Sequence, residues 1–108
     1  AVCGDGSFQM SMCELATIKQ HNIPVKICIM KNTVLGMVRE YEHYKYDDHM
    51  AMIDLSGSPN FEKIAEAYVI PFIRMFNNRI TGQLIDQFLS TDGPVLMECI
   101  IDEHDLVN

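Results

Sequence analysis

The sequence predicts an α/β fold, a three-layer α/β/α arrangement around a mostly parallel sheet of about four strands. Three observations predict it. Short β-prone apolar runs alternate with helix-patterned segments along the whole chain. One of these runs, Val25 to Met30, is apolar over most of its length, as buried parallel strands are. No internal repeat, low-complexity run or linker interrupts the alternation.

Ala1 to Cys3 reads as the end of a buried strand, closed by a turn at Gly4-Asp5-Gly6-Ser7. From about Gln9 to His21 good helix formers follow, with Met12, Leu15, Ala16 and Lys19 on one face. Asn22 to Pro24 stops that helix. The strand Val25–Met30 leads through a loop at Lys31 to Val34 into a helix from about Leu35 to Tyr44. Tyr46 to Ser58 is polar and irregular, the best candidate for a mobile loop. Pro59-Asn60 opens a helix through about Tyr68, and Ile70 to Met75 reads as a strand with Pro71 near its start. Thr81 to Ser90 is helical, with the stripe Leu84, Ile85, Phe88 and Leu89. After the turn Asp92-Gly93-Pro94, Val95 to Asp102 forms the last strand.

The chain's 108 residues suffice for one domain, residues 1–108, and for burying roughly 65% of the unfolded surface. A multidomain enzyme is excluded at this size. Eight Lys plus Arg against fifteen Asp plus Glu give a net charge of −7, which argues against nucleic acid or an anionic membrane as partner. No apolar run approaches the roughly 20 residues needed to span a bilayer. The four cysteines, Cys3, Cys13, Cys28 and Cys99, have no CxxC spacing and lie in apolar segments. They read as buried reduced thiols, and so as the mark of a cytoplasmic protein. The chain starts without Met at what reads as a strand's end, and so reads as a piece of something longer.

In parallel α/β sheets ligands sit outside the carboxyl ends of the strands. Two loops qualify here, and they lie side by side if their strands are neighbours. The first places the Asp5 carboxylate between Gly4 and Gly6 at a strand end, just before a helix, with glycines that let a ligand approach the backbone. The second carries Asn32. A carboxylate, an amide oxygen and a nearby backbone carbonyl are hard donors of the kind Mg²⁺ prefers, its remaining positions going to phosphate oxygens and water. In an acidic chain this is how a diphosphate would be held: by backbone N–H groups and a divalent cation rather than by a Lys/Arg clamp. The Gly-Asp-Gly triplet alone is an ordinary turn sequence. Its weight comes from Asn32 at this interval after a buried strand.

Gly4-Asp5-Gly6 followed by Asn32 is similar to the thiamine-diphosphate signature. The wider sequence resembles the C-terminal part of the acetolactate synthase (acetohydroxyacid synthase) large catalytic subunit. The resemblance rests on residues 4–10 (Gly-Asp-Gly-Ser-Phe-Gln-Met), 14–18 (Glu-Leu-Ala-Thr-Ile), 22–27 (Asn-Ile-Pro-Val-Lys-Ile) and 35–39 (Leu-Gly-Met-Val-Arg). Residues 54–56 (Asp-Leu-Ser), 65–68 (Ala-Glu-Ala-Tyr) and 92–96 (Asp-Gly-Pro-Val-Leu) extend it over nearly the whole chain. The fold it implies is an incomplete thiamine-diphosphate-binding domain. The implied activity is decarboxylation of pyruvate on thiamine diphosphate and joining of the remaining two-carbon unit to a second pyruvate or 2-oxobutyrate, an early step of branched-chain amino acid synthesis. By position, Asp5 and Asn32 are implied Mg²⁺ ligands with the carbonyl of Val34. Gly4, Gly6 and Ser7 are implied to meet the diphosphate, and Gly36, Met37 and Val38 to lie near the cofactor and reacting centre.

Some positions depart from the family pattern. Lys31 stands where a second Asn is usual, either to help hold phosphate or to face solvent. Tyr41 replaces a frequent Trp, Val69 replaces a frequent Gly, and Tyr41 to Asp48 departs most. The family's activating Glu, its FAD-binding middle domain and the apolar residue that props the cofactor lie outside this chain. No catalytic residue is therefore expected in it, the isolated piece is expected to be inactive, and FAD would belong to a full-length parent. The missing N-terminal and middle domains are its expected partners. An apolar surface left uncovered by truncation is expected to drive self-association. The sequence also admits the same segment of another thiamine-diphosphate 2-oxo acid decarboxylase or oxidase, or a non-catalytic Mg²⁺/diphosphate-binding module. His43, Asp47, Asp48 and His49 read as a solvated loop surface, Glu14 and Glu98 as carboxylates without a catalytic part, and most of the eight Met residues as core filling.

Overall fold

The computed structural model describes residues 1–76 and 81–104. Its four strands, β1 (Val2–Gly4), β2 (Lys26–Lys31), β3 (Phe72–Met75) and β4 (Val95–Ile100), form one sheet in the order β1-β2-β4-β3. All three pairings are parallel, with Val2 opposite Cys28, Lys26 opposite Val95 and Phe72 opposite Leu96. The helices are α1 (Asp5–Ser11), α2 (Leu15–Gln20), α3 (Gly36–Lys45), α4 (Phe61–Ala67) and α5 (Thr81–Ser90). The α/β class, the parallel sheet and its four strands are thus as the sequence predicts.

Alternation along the strands divides the core into two layers. Ile27 and Ile29 of β2 and Leu96 of β4 pack with Phe8, Leu15, Phe61 and Ala65 of α1, α2 and α4. On the other face Cys28, Ile73, Val95, Met97 and Cys99 pack with Phe88 of α5. Phe8 and Phe61 meet edge to face at 5.2 Å, which joins α1 to α4 over the sheet. No residue of α3 is buried, so this helix projects beyond the two cores.

Several local expectations differ. Gly4 to Ser7 is not a turn: the strand runs into α1 at Asp5 without an intervening loop. The first helix is instead broken at Met12–Glu14 by a 3₁₀ turn, and its buried face is Phe8, Leu15 and in part Met12 and Ile18, with Ala16 and Lys19 exposed. β3 starts at Phe72, leaving Pro71 outside it, and β4 ends at Ile100 rather than Asp102. Of the α5 stripe, Phe88 is buried and Leu84 partly so, while Ile85 and Leu89 are exposed. Cys13 is exposed and Cys3 half-buried, so only Cys28 and Cys99 fit the buried-thiol reading. Their sulfurs lie 3.5 Å apart, and burial pushes the Cys99 thiol up to about 12. Met10, Met50 and Met52 are exposed and fill no core.

The helix ends show how single residues stop each element. Asn60 caps α4, its side-chain oxygen accepting from the Lys63 N–H at 3.1 Å. At the other end, Val69 N–H donates to the Glu66 carbonyl and Ile70 N–H to the Ala65 carbonyl, at 3.0 and 2.9 Å. This is a Schellman closure, and it needs a left-handed residue at Val69, whose φ is +55°. Asn22 fills the corresponding position after α2 with φ +46°, closing with Asn22 N–H on the Lys19 carbonyl and Ile23 N–H on the Ile18 carbonyl. Asn tolerates that conformation, whereas a β-branched side chain crowds its own backbone there. The Gly usual at position 69 in the resembling family answers this geometry. Val69 is exposed, so its side chain loses little packing on removal. Val69→Gly should therefore stabilise the fold by about 1 kcal/mol and raise the melting temperature by about 5 °C, measured by thermal unfolding.

Candidate functional site

Because β1 and β2 are neighbours in parallel register, the start of α1 and the loop after β2 meet at one end of the sheet. Asp5, 1% exposed, makes the junction. Its Oδ1 accepts the Gly6 N–H at 3.0 Å and its Oδ2 accepts the Thr33 N–H at 2.9 Å. A buried carboxylate needs such donors, and here two backbone N–H groups supply them. Thr33 is held with φ +60°, a conformation costly for a β-branched residue. Its Oγ1 donates to the Asn32 carbonyl at 2.7 Å, and its own carbonyl accepts the Leu55 N–H at 2.7 Å. Asn32 Oδ1 accepts the Val34 N–H at 3.2 Å, folding the loop tightly around the amide.

The segment expected to be a mobile loop contributes to this arrangement. Leu35 N–H donates to the Ile53 carbonyl at 2.8 Å, and Val34 and Asp54 form an antiparallel bridge. Residues 53–55 are thereby tied to the loop that carries Asn32. Asp54 in turn accepts the Ser56 N–H and hydroxyl, contacts that draw its carboxyl below the usual carboxylate range. Packing from the same segment explains Gly6: a Cβ there would lie 2.8 Å from Leu35 Cδ2 and 3.1 Å from Leu55 Cδ1. Gly4 differs, since a Cβ at that position would meet nothing within 4 Å. Of the two glycines, only Gly4 has the open surroundings expected of a ligand approach.

These elements enclose a cleft of about 390 Å³. Gly4, Asp5, Gly6, Ser7, Asn32, Val34, Gly36, Met37 and Val38 all line it. The nine residues that the sequence offers as cofactor or cation contacts thus share one concave surface. The remaining wall comes from Met30, Leu35, Arg39, Glu40, Ile101 and Glu103. The Arg39 guanidinium fixes part of it by donating to the Glu103 carbonyl and by its contact with His104 Nδ1 at 2.7 Å. Ile101 and Glu103 carry no motif and enter the wall because β4 lies beside β2, which the sequence does not state.

Lys31 takes neither role expected of it. Its Nζ lies 3.1 Å from Glu98 Oε1, away from the diphosphate reading, and over the Phe61 ring at 5.4 Å. His43 and Asp48 pair at 2.7 Å on the exposed surface, and among the described residues no group of three His, Cys, Asp or Glu side chains is placed to hold a metal ion. Asp5, the Asn32 amide oxygen and the Val34 carbonyl supply hard oxygen donors at the cleft. Each carboxylate and amide oxygen retains a second lone pair beyond the hydrogen bond it accepts.

A parallel sheet with a buried carboxylate and a glycine-lined cleft at its carboxyl ends defines an α/β domain built to hold a ligand there. Residues 1–99 match the family described as thiamine pyrophosphate enzyme, C-terminal TPP binding domain, and the chain belongs to that family. It is similar to the acetolactate synthase large subunit of Cyanidium caldarium, 38% identical over 101 residues that cover 93% of this chain and 17% of that protein. The probable acetolactate synthase large subunit of Methanococcus aeolicus is 36% identical over 101 residues, covering 94% of this chain and 17% of that one. The mitochondrial acetolactate synthase of Schizosaccharomyces pombe is 38% identical over 104 residues, covering 96% and 15%. The chain therefore spans less than a fifth of the length of these relatives. Among the described residues no helix is long and apolar enough to cross a membrane.

The Asp5 bridge yields a test that needs no ligand. Asp5→Ala leaves the Thr33 N–H without its partner in a strained loop and should cost about 2 kcal/mol, read as a lower urea midpoint.

Proposed function

We propose that this chain forms the diphosphate- and Mg²⁺-holding wall of a thiamine-diphosphate enzyme of the acetolactate synthase kind. The observation that carries the reading is the convergence of all nine candidate residues on one cleft. Asp5, Asn32 and the Val34 carbonyl would take the cation, and the backbone of Gly4, Gly6 and Ser7 the diphosphate. Gly36, Met37 and Val38 would border the thiamine moiety. Bound there, thiamine diphosphate supplies the electron sink that lets a 2-oxo acid lose carbon dioxide. The protein's contribution is to anchor and orient.

The whole enzyme would condense two pyruvates, or pyruvate and 2-oxobutyrate. Proton transfer to the cofactor and acceptor recognition would come from parts of the longer relatives that this chain does not span. The isolated chain would then be inactive. Met37 on α3 is 86% exposed beside the cleft, and Tyr41 and Tyr44 are exposed on the same helix. Those further parts, or a second copy, would cover them.

Calorimetric titration of thiamine diphosphate, with and without Mg²⁺, tests the reading. Binding should require Mg²⁺. Gly4→Val should abolish it without lowering the melting temperature, because Gly4 has an extended backbone (φ −74°, ψ 162°) and free space around it. Mg²⁺-independent binding, or unaltered binding to Gly4→Val, would refute the assignment.

A further inference from the structure

Asp5 and Glu98 are the two charged side chains buried among the described residues, each 1% exposed. Asp5 belongs to the cleft. Glu98 lies on the α4 face of β4, where a carboxylate is costly unless cations meet it. Two do so. Arg74, its register partner on β3, donates from Nε to Oε2 at 2.5 Å and also holds Glu62 at 3.1 Å. Oε1 has no aligned hydrogen bond, and its counter-charge is Lys31 Nζ at 3.1 Å.

Lys31 is the last residue of β2, immediately before Asn32. On one side of Asn32, therefore, the chain is held through Lys31 to the buried Glu98. On the other it is held through the Thr33 N–H to the buried Asp5. The loop between these anchors is strained at Thr33 and would relax if either anchor released it.

We propose that the Lys31–Glu98 ion pair, with Arg74 behind it, is a positioning device that fixes the Asn32 oxygen for the cation. This rests on the reading of Asn32 as a Mg²⁺ ligand. It explains how the chain accommodates Lys where the resembling family has Asn: the charge is directed to the far face of the sheet and used to hold the loop. The strand end is then held by a side chain as well as by the Ile101 N–H on the Lys31 carbonyl at 3.0 Å.

The test has a ligand-free arm and a ligand arm, both with the full chain. Lys31→Met keeps an unbranched side chain of similar length and removes the charge, with its contact to Glu98. Amide hydrogen exchange at Thr33 and Val34 should quicken about tenfold, while Ile29 and Leu96 in the adjoining strands keep their protection. Glu98→Gln should reproduce the pattern, and Lys31→Arg should restore wild-type exchange. In the ligand arm, the Mg²⁺ concentration that half-saturates thiamine diphosphate binding should rise about tenfold in Lys31→Met and not in Lys31→Arg. Unchanged exchange at Thr33 and Val34, or exchange that quickens equally throughout the sheet, would overturn the positioning role. A wild-type chain that takes up no cofactor would count against the proposed function, and the exchange arm would still decide the positioning.

Discussion

The Asp5–Thr33 hydrogen bond is the contact on which the cleft depends. It joins the first residue of α1 to the loop after β2, which parallel pairing of β1 and β2 brings together, and it does so with a carboxylate removed from solvent. A charged acceptor there gains more from each backbone donor than a neutral one would, because little water competes for it. That gain offsets the strain of a left-handed threonine. The bond acts with the Asn32–Val34 turn to hold the loop shape that places the Asn32 amide, the Val34 carbonyl and the start of α3 around one space.

Residues 53–55 add a second tie by pairing with the same loop from outside the sheet, and they close over Gly6 with Leu55. The cleft is therefore bounded by strand ends, one irregular segment and one helix that has no core of its own. The residues proposed to meet the diphosphate lie at the end of β1 and the start of α1, while those proposed to border the thiamine sit on exposed α3. This division suits a wall that further protein would complete.

The alternation of strands and helices was legible because each strand is a short, mostly apolar run set off from helix-patterned segments by Gly, Pro or Asn. The candidate site was legible because Asp5 and Asn32 belong to a spaced motif. The hydrogen bonds that shape it were not. Thr33 carries no signal of a left-handed backbone, and nothing in Asp54-Leu55 distinguishes a loop that pairs from one that moves. Gly4 to Ser7 reads as a turn because glycines favour turns, but a glycine also permits a strand to run straight into a helix. Lys31 and Glu98 could not be matched because their meeting depends on β4 lying beside β2 rather than beside β3 alone. Positions 22 and 69 show a milder version: the same closure is obvious with Asn and concealed with Val.

The strand order has a consequence for how the molecule comes into being. β2 occupies the middle of the sheet, but its inner neighbour is β4, so Lys26 waits for Val95. During synthesis the chain can pair β1 with β2 early, yet neither hydrophobic layer closes until β4 has left the ribosome. Pairing over such a span is slow, because the loop must be closed before its contacts return any free energy. Meanwhile one side of β2 stays open to any passing strand. A nascent chain of this design is most exposed to aggregation between the emergence of β2 and that of β4, and its need for chaperones should be concentrated there.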